Sequence, residues 1–325
     1  MDAKRRVTHI GDPSPEKGKE LAAANKAPLG APKIIILGVG KMGLLMNAIL
    51  RLRGYEPIMI DMNKPVFERK DYPYYPFFFH KQVIPFTTDK KIHLVKTIIG
   101  GGDYDKNYSL KVYGIISDKV KISSISPVKV QETWELNTDL IQSSFKPELF
   151  INDKLDVSKF IDEGKMYWND CDEFVKNDAF DYLFSTIPLF SYVGREGNFF
   201  PYRDVYIKRT KTDVLYTEPN VVKIDYVTDL HDPVYRRTYY KDTMLEESTA
   251  PIFDRRVFAK SYDCRGDGEL RKGVLAALQA KKVYCFGRFA TWRPNVFLHQ
   301  EITRFIRFVD KHLPLAVGGS HVSSW

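Results

Sequence analysis

Residues 32–63, PKIIILGVGKMGLLMNAILRLRGYEPIMIDMN, contain the stretch that decides the fold. An apolar run at 34–37 leads into the spacing G-x-G-x-x-G, and apolar residues then recur three and four positions apart, as in an amphipathic helix. A second apolar run at 58–60 ends on Asp61. Three glycines between a strand and a helix, with an acid after the next strand, predict a Rossmann-like dinucleotide site.

Each glycine of this motif has a physical role. Gly38 allows the tight turn, Gly40 lets the backbone approach a pyrophosphate, and Gly43 lets the helix pack closely on the strand, with its positive N-terminus toward the phosphates. Asp61 is expected to accept hydrogen bonds from ribose hydroxyls. The alternative is a structural glycine turn that binds nothing. The residues predicted to contact the cofactor here are Gly38, Val39, Gly40, Lys41, Met42, Gly43 and Asp61.

The composition is that of a globular chain of 325 residues, with 44% hydrophobic and 14% aromatic residues. Three cysteines without paired spacing indicate a reducing compartment. The first residues lack the apolar core of a signal peptide, and no apolar run approaches the length of a membrane span. We therefore expect a cytoplasmic protein that does not engage a membrane.

The net charge of +8 favours an anionic partner. The basic residues fall in short groups, not in the long run typical of a nucleic-acid tail. The possible partners are a small-molecule or nucleotide-linked anionic substrate and a nucleic acid. The alternative is a basic surface that is simply solvated. No metal-ligand spacing occurs, so we expect no metal site. The sequence does not indicate an oligomeric state.

The chain has strand–turn–helix character at both ends and strand character between them. Residues 1–31 are polar and are predicted to form a flexible extension. A helix is predicted over 270–280, a strand over 283–286, and an amphipathic helix from about 295 to 311. Alternating polar and apolar residues in the middle predict an antiparallel sheet with one covered face. The predicted strands there are 110–116, 120–122, 128–134, 205–208, 221–227 and 234–240.

The N-terminal motif alone is compatible with two dinucleotide cofactors, NAD(P) and FAD. G-V-G-K-M-G is similar to the NAD(P) fingerprint of β-hydroxyacid dehydrogenases, but those enzymes continue into an all-helical domain, and this chain continues into strands. Residues 282–309, KVYCFGRFATWRPNVFLHQEITRFIRFV, resemble the C-terminal FAD motif of the UDP-galactopyranose mutase-like and amine-oxidase-like flavoproteins. Residues 180–190, FDYLFSTIPLF, resemble that family's Thr-x-Pro strand, and residues 221–242 resemble its Tyr-x-Arg substrate segment.

This resemblance, which extends over most of residues 33–310, implies FAD as cofactor. It implies an α/β fold in which a Rossmann-like FAD-binding domain (32–130, 165–192 and 265–313) is interrupted by a β-rich substrate domain (131–164 and 193–264), with a tail at 314–325. Tyr235 and Arg237 would face the substrate, and Arg236 would point away because strand side chains alternate. Further cofactor contacts would be Gly287, Arg288, Trp292, Asn295 and Val296.

The expected function is that of an FAD-dependent oxidoreductase. Its flavin would accept a hydride from a carbon that bears an amine or hydroxyl group on an anionic, nucleotide-like substrate. Asp61 stands where the family has Glu, and the family's Gly-Gly pair and the acid at the start of the last helix are missing. These departures weigh against sugar-mutase activity more than against flavin binding. The alternatives are a flavin-dependent nucleotide-sugar mutase, an NAD(P)-dependent dehydrogenase, and a non-enzymatic nucleotide- or nucleic-acid-binding module.

Overall fold

The computed structural model describes residues 31–68, 78–117, 120–125, 128–168, 174–193, 202–253, 255–260, 267–293 and 296–316. The predicted N-terminal extension lies outside these ranges apart from residue 31, as do Asn295 and the tail beyond 316. None of the helices within these ranges has both the length and the apolar content that crossing a membrane requires.

The described residues form sixteen strands and six α-helices. The strands are β1 (Ile34–Leu37), β2 (Ile58–Ile60), β3 (Phe78–Phe79), β4 (Thr87–Ile99), β5 (Val128–Leu136), β6 (Phe150–Ile151), β7 (Leu155–Asp156), β8 (Lys165–Trp168), β9 (Phe174–Lys176), β10 (Tyr182–Ser185), β11 (Tyr202–Lys211), β12 (Val221–Val227), β13 (Val234–Tyr240), β14 (Thr243–Ser248), β15 (Arg255–Lys260) and β16 (Val283–Cys285). The helices are α1 (Lys41–Leu52), α2 (Tyr104–Tyr113), α3 (Thr138–Ser143), α4 (Phe160–Glu163), α5 (Asp267–Ala280) and α6 (Leu298–His312).

Five strands form a parallel sheet in the order β16-β10-β1-β2-β6. Its central strand, β1, is buried along its whole length, which is why it reads as a continuous apolar run. Ile34 and Ile36 pack toward α1 and α6, whereas Ile35 and Leu37 pack toward α5 and the small antiparallel sheet β7-β8-β9. Both faces are therefore covered, as in a doubly wound α/β domain.

The turn from β1 into α1 brings the backbone of the helix very close to the end of the strand. Gly38 has a φ of +95°, in the left-handed region that favours glycine. A Cβ atom at Gly43, in the first turn of α1, would overlap the carbonyl oxygen of Gly38. The predicted roles of these two glycines, the tight turn and the close helix–strand approach, both correspond to this geometry.

Eight strands form a larger sheet in the order β15-β11-β14-β13-β12-β4-β5-β3. Its strands pair antiparallel, except that β12 runs parallel to β4. The sheet is therefore mixed, not purely antiparallel as the sequence pattern predicts. Helix α2 covers part of one face, where Tyr108 and Val112 pack with Val205, Tyr235 and Leu245.

Strand membership departs from the predicted domain boundaries at two places. Strand β4, predicted within the FAD-binding domain, belongs to the larger sheet together with β5. Strand β6, predicted within the substrate domain, pairs with β2 in the parallel sheet. The chain thus enters the larger sheet at Phe78, before the predicted boundary at residue 131, and it returns to the parallel sheet at Phe150, before the predicted boundary at residue 165.

Residues 104–113 form a helix where the residue types predict a strand over 110–116. The side chain of Asp103 accepts a hydrogen bond from the Lys106 N–H at 3.0 Å, and Gly114, with a φ of 73°, ends the helix in the left-handed region. These two caps satisfy backbone groups at both ends, and they outweigh the strand preference of the residues between them. The strand predicted over 120–122 is also wrong, because residues 122–125 form a 3₁₀ turn.

We expect Gly43→Ala to destabilise the protein by about 1–3 kcal/mol, because its methyl group would force α1 away from the β1 turn. The measurement is the free energy of unfolding in denaturant. The matched control is Gly273→Ala in α5, where an added Cβ meets nothing within 4 Å. That exposed helical position should gain about 0.5–1 kcal/mol from alanine. Equal stabilities of the two variants would contradict the close approach at Gly43.

Candidate functional site

A cavity of about 520 Å³ lies where the carboxyl ends of the parallel strands meet the larger sheet. Crevices at this end of an open α/β sheet are the usual position of ligands. The parallel-sheet side contributes Gly40, Lys41, Met42, Thr186, Gly287, Arg288, Phe289, Val296, Phe297, Leu298, His299 and Glu301. The larger sheet and its adjoining segments contribute Phe78, Phe79, His80, Leu136, Ile224, Arg236 and Thr238.

The N-terminus of α1 opens onto this cavity through Gly40. Gly40 is the residue before the helix, and no side chain caps the backbone N–H groups there. A Cβ built on Gly40 meets nothing within 4 Å, so a side chain at this position would enter open space and not the protein. The turn itself is held by the Gly38 N–H, which donates to Ile60 O at 2.8 Å, and by Thr186 Oγ1, which donates to Gly38 O at 2.9 Å. Such a fixed, uncapped helix N-terminus suits a phosphate group.

Two cations flank this helix N-terminus. Lys41 is the first residue of α1, and Arg288 follows the left-handed turn at Gly287, whose φ is +92°. Burial, followed by repulsion from Arg288, lowers the pKa of Lys41 to about 8. The helix N-terminus and the two cations place positive potential on one small region, and together they fit the pyrophosphate of a dinucleotide.

Asp61 connects the end of β2 to the glycine turn. Its Oδ2 accepts the Val39 N–H at 2.6 Å, and its Oδ1 accepts the Asn63 N–H at 2.8 Å. The Val39 side chain is fully buried, so this residue contributes its backbone and not its side chain to the loop. Asn63 Nδ2 also donates to Oδ1, at 3.3 Å. The carboxylate has a further lone pair beyond these three bonds, and the predicted ribose contact stays a prediction.

Glu301 is a site residue that the sequence pattern misplaces. The helical periodicity puts it on the polar face of the last helix, yet only 2% of it is exposed. Its Oε2 accepts the Gly287 N–H at 2.7 Å and lies 2.6 Å from Arg304 Nη2. The carboxylate thereby fixes the turn that carries Arg288. The available signal was an acid in the first turn of a helix that follows a Gly-Arg step.

Two histidines outside the predicted site residues, His80 and His299, line the cavity side by side. The His80 and His299 rings lie 6.0 Å apart, and Phe297 contacts both. The Nδ1 atoms of both histidines are buried without a hydrogen-bond partner. Burial, then Lys96 and His299, lowers the pKa of His80 to about 4, and burial, then Lys81, lowers that of His299. Both rings are therefore neutral at pH 7, and each ring carries one donor and one acceptor nitrogen.

The two arginines of β13 lie on opposite faces, but Arg236 and not Arg237 lines the cavity. Arg237 instead bonds Glu246 at 3.1 Å and Asp232 at 2.9 Å. The register against β14 shifts between Val234 and Arg236, and this bulge adds one residue to the strand. The cavity-facing position predicted for Arg237 is thus corrected to Arg236, which forms an ion pair with Glu247.

The remaining predicted residues divide between cavity and core. Met42 and Val296 line the cavity, and their contacts with a cofactor stay predictions. Trp292 is fully buried, with its ring 5.6 Å from that of Phe190, so it fills the core and does not line the cavity. Tyr235 is likewise buried, in the cluster under α2. Within the described residues no group of three or more His, Cys, Asp or Glu side chains could hold a metal ion.

No protein-family model and no curated protein sequence matches this chain. Among solved structures, a reduced UDP-galactopyranose mutase aligns with a TM-score of 0.59 at 13% identity, over 90% of this chain and 96% of that chain. A tryptophan 5-halogenase aligns at 0.44 and 9% identity, over 90% and 68% of the two chains. A 2-methyl-3-hydroxypyridine-5-carboxylic acid oxygenase aligns at 0.40 and 9% identity, over 90% and 84%.

The likeness to the mutase extends across nearly the whole of both chains, and it concerns the fold. It agrees with the sheet topology described above, in which a parallel sheet is interrupted by a β-rich part. The fold predicted from the sequence, a Rossmann-like FAD-binding fold joined to a β-rich domain, is therefore confirmed.

Proposed function

We propose that this protein is an FAD-dependent oxidoreductase that acts on an anionic, nucleotide-like substrate. One observation carries the proposal: the uncapped N-terminus of α1 opens through Gly40 onto a cavity of about 520 Å³, between Lys41 and Arg288. Lys41 and Arg288 place positive potential beside this opening, and the pyrophosphate of FAD is the anionic group that such a region suits.

The residues assigned to FAD come from three segments. The turn from Gly38 to Gly43 and the Arg288 guanidinium hold the pyrophosphate, and Asp61 accepts a ribose hydroxyl in addition to its bonds from Val39 and Asn63. Val296 and Met42 provide apolar contact for the ring system. When bound, FAD supplies the acceptor for a hydride.

The larger sheet provides the substrate side of the cavity. Arg236 and Thr238 offer a cation and a hydroxyl on the same face of β13, which suits a phosphate or carboxylate. Loss of a hydride from a carbon that bears a hydroxyl or amine group also releases a proton. His80 and His299 line the cavity with neutral rings, and we assign the acceptance of that proton to this pair.

A nucleotide-sugar mutase is the second candidate, because the aligned structure with the highest TM-score quoted above is a UDP-galactopyranose mutase. In that reaction reduced flavin would attack a sugar carbon without net redox, so product would form only after the flavin has been reduced. The missing acid at the start of the last helix favours the oxidoreductase, since Val296 and Phe297 stand there.

Gly40→Val should yield a folded but colourless protein. A Cβ at this position meets no protein atom within 4 Å, and the backbone φ of −76° suits any residue, so the fold tolerates the change. The valine side chain would, however, occupy the space proposed for the pyrophosphate. The measurements are the visible flavin absorption of the purified protein and its melting temperature.

The control for this variant is Gly273→Ala, which should leave flavin content unchanged. A Gly40→Val protein with wild-type flavin content would exclude the loop as the phosphate site. A colourless wild-type protein that takes up no added FAD would overturn the proposed cofactor itself.

Arg236→Gln should reduce turnover of an anionic substrate by about tenfold or more while flavin content stays normal, because a charge-assisted hydrogen bond is lost. The matched control, Arg237→Gln, removes a cation from the other face of the same strand. It should lower stability, because Glu246 and Asp232 lose their partner, but leave turnover nearly unchanged. A larger loss of turnover in Arg237→Gln than in Arg236→Gln would contradict the assignment of Arg236.

An anaerobic absorption assay distinguishes the oxidoreductase reaction from the mutase reaction. A nucleotide-sugar panel is mixed anaerobically with the oxidised protein, and flavin absorption is followed. Bleaching by a substrate supports the oxidoreductase, whereas product formation only after dithionite reduction supports the mutase.

Lys41→Met should show a pH-dependent effect on stability. The pKa of Lys41 is lowered from 10.5 to about 8, so the folded FAD-free protein loses this proton more readily than the unfolded chain. The charged lysine therefore costs stability below pH 8, and this cost fades as the pH rises toward 10.5. Lys41→Met should raise the melting temperature of the FAD-free protein more at pH 7 than at pH 10.

With FAD bound, the sign at pH 7 should reverse, since the proposed pyrophosphate contact then stabilises the charged lysine. Thermal unfolding of both forms at the two pH values checks this. An effect of Lys41→Met that is the same at both pH values in the FAD-free protein would show that Lys41 is not the titrating group.

A further inference from the structure

Glu301 is the one acidic side chain among the described residues that line the cavity, whose cations are Lys41, Arg236 and Arg288. A carboxylate on the wall of a cavity that we assign to an anionic cofactor is unexpected, because it repels the ligand. Its bond from the Gly287 N–H explains why an acceptor is needed at this place. It does not explain why the acceptor carries a charge, since the amide oxygen of a glutamine could accept the same N–H.

The Glu301 carboxylate is held at a defined place on the cavity wall. Only 3% of the side chain is exposed, and Oε2 accepts the Gly287 N–H at 2.7 Å and the Arg304 guanidinium at 2.6 Å. Within the described ranges Oε1 has no hydrogen-bond partner. One oxygen therefore anchors the side chain, while the lone pairs of the other oxygen stay unoccupied.

Arg304 compensates the charge of Glu301 only in part. Arg304 is not among the described residues that line the cavity, and its guanidinium carbon lies 4.4 Å from the centroid of the Phe286 ring. Nη2 also donates to Cys285 O at 2.7 Å, and 39% of the Arg304 side chain is exposed. Water therefore screens the arginine more than the buried carboxylate, and the ion pair presents its negative end to the cavity.

We propose that Glu301 lowers the reduction potential of the bound flavin by placing a fixed negative charge on the cavity wall. Uptake of a hydride, with its two electrons, adds one negative charge to the cavity, and the carboxylate disfavours that state. In a cavity of about 520 Å³ little water separates the wall from a bound flavin, so this repulsion is weakly screened. The inference rests on the proposed function, because it takes FAD to occupy this cavity.

A lowered potential affects both halves of the proposed reaction. The flavin becomes a weaker oxidant of the substrate, but it passes the two electrons more readily to the two-electron acceptor that completes turnover. A nucleotide-sugar mutase would instead need a flavin that stays reduced, which a carboxylate at this place opposes. The charge of Glu301 therefore fits the oxidoreductase better than the mutase.

The test measures the midpoint potential of the FAD-containing protein by slow anaerobic reduction beside a reference dye of known potential. Glu301→Gln keeps an acceptor for the Gly287 N–H but removes the charge. Its potential should rise, with a tenfold or larger change in the ratio of reduced to oxidised flavin, which is about 30 mV for a two-electron couple. Arg304→Gln should lower the potential, because the carboxylate then loses its counter-charge.

The matched control is Glu269→Gln in α5. Glu269 also forms an ion pair with a cation three residues later, Lys272, at 2.7 Å, but 86% of its side chain is exposed. The potential of this variant should equal that of the wild type, because solvent screens an exposed charge.

An unchanged potential in Glu301→Gln, with wild-type flavin content and melting temperature, would overturn the inference and leave Glu301 as a structural acceptor. Shifts of the same sign in Glu301→Gln and Arg304→Gln would also overturn it, since disturbance of the turn would then be the cause. If Glu301→Gln does not fold, the sign of the shift in Arg304→Gln decides: a lower potential supports the inference, and an equal or higher one overturns it. A wild-type protein that binds no FAD would overturn the proposed function as well, so the two failures are distinguishable.

Discussion

The approach of α1 to the end of β1 is the constraint on which the site depends. Because a side chain at Gly43 would overlap the Gly38 carbonyl, the helix can start only where glycine occupies this position. That start directs the free N–H groups of α1 into the crevice beside β10 and β16, where the Gly287 turn also lies. The Glu301 carboxylate fixes this second turn from α6, and the Thr186 hydroxyl and the Asp61 carboxylate fix the first, so side-chain hydrogen bonds hold both turns in place.

Two pairs of like charges raise the electrostatic cost of the fold. Lys41 lies near Arg288, and Lys96 lies opposite Lys129, and in both pairs repulsion adds to burial in lowering a lysine pKa. Other basic residues, such as Lys90, Lys91 and Arg237, form ion pairs with acidic side chains.

Local signals made the parallel sheet predictable from the sequence. The strands at 34–37 and 58–60 and the glycine turn are defined by contiguous residues, and β12 and β13 have the predicted bounds because their alternation is regular. The wrong predictions come from features that no local residue pattern encodes. Strand β4 pairs in parallel with β12, more than a hundred residues later in the chain, and no local pattern encodes that pairing. Helix α2 depends on two caps, and the choice between Arg236 and Arg237 depends on a bulge that strand alternation cannot foresee.

The cavity belongs to neither sheet alone, and this has an energetic consequence. Strand β3 of the larger sheet carries Phe79 to within 6.3 Å of the His299 ring of α6, and Leu136 at the end of β5 packs into the same core as α1. Asn47 of α1 also donates to Ser144 O at 2.9 Å, in the segment that returns from the larger sheet. The N-terminus of α1 and the wall that carries His80 therefore share one buried core, so the packing energy of that core holds both sides of the cavity together.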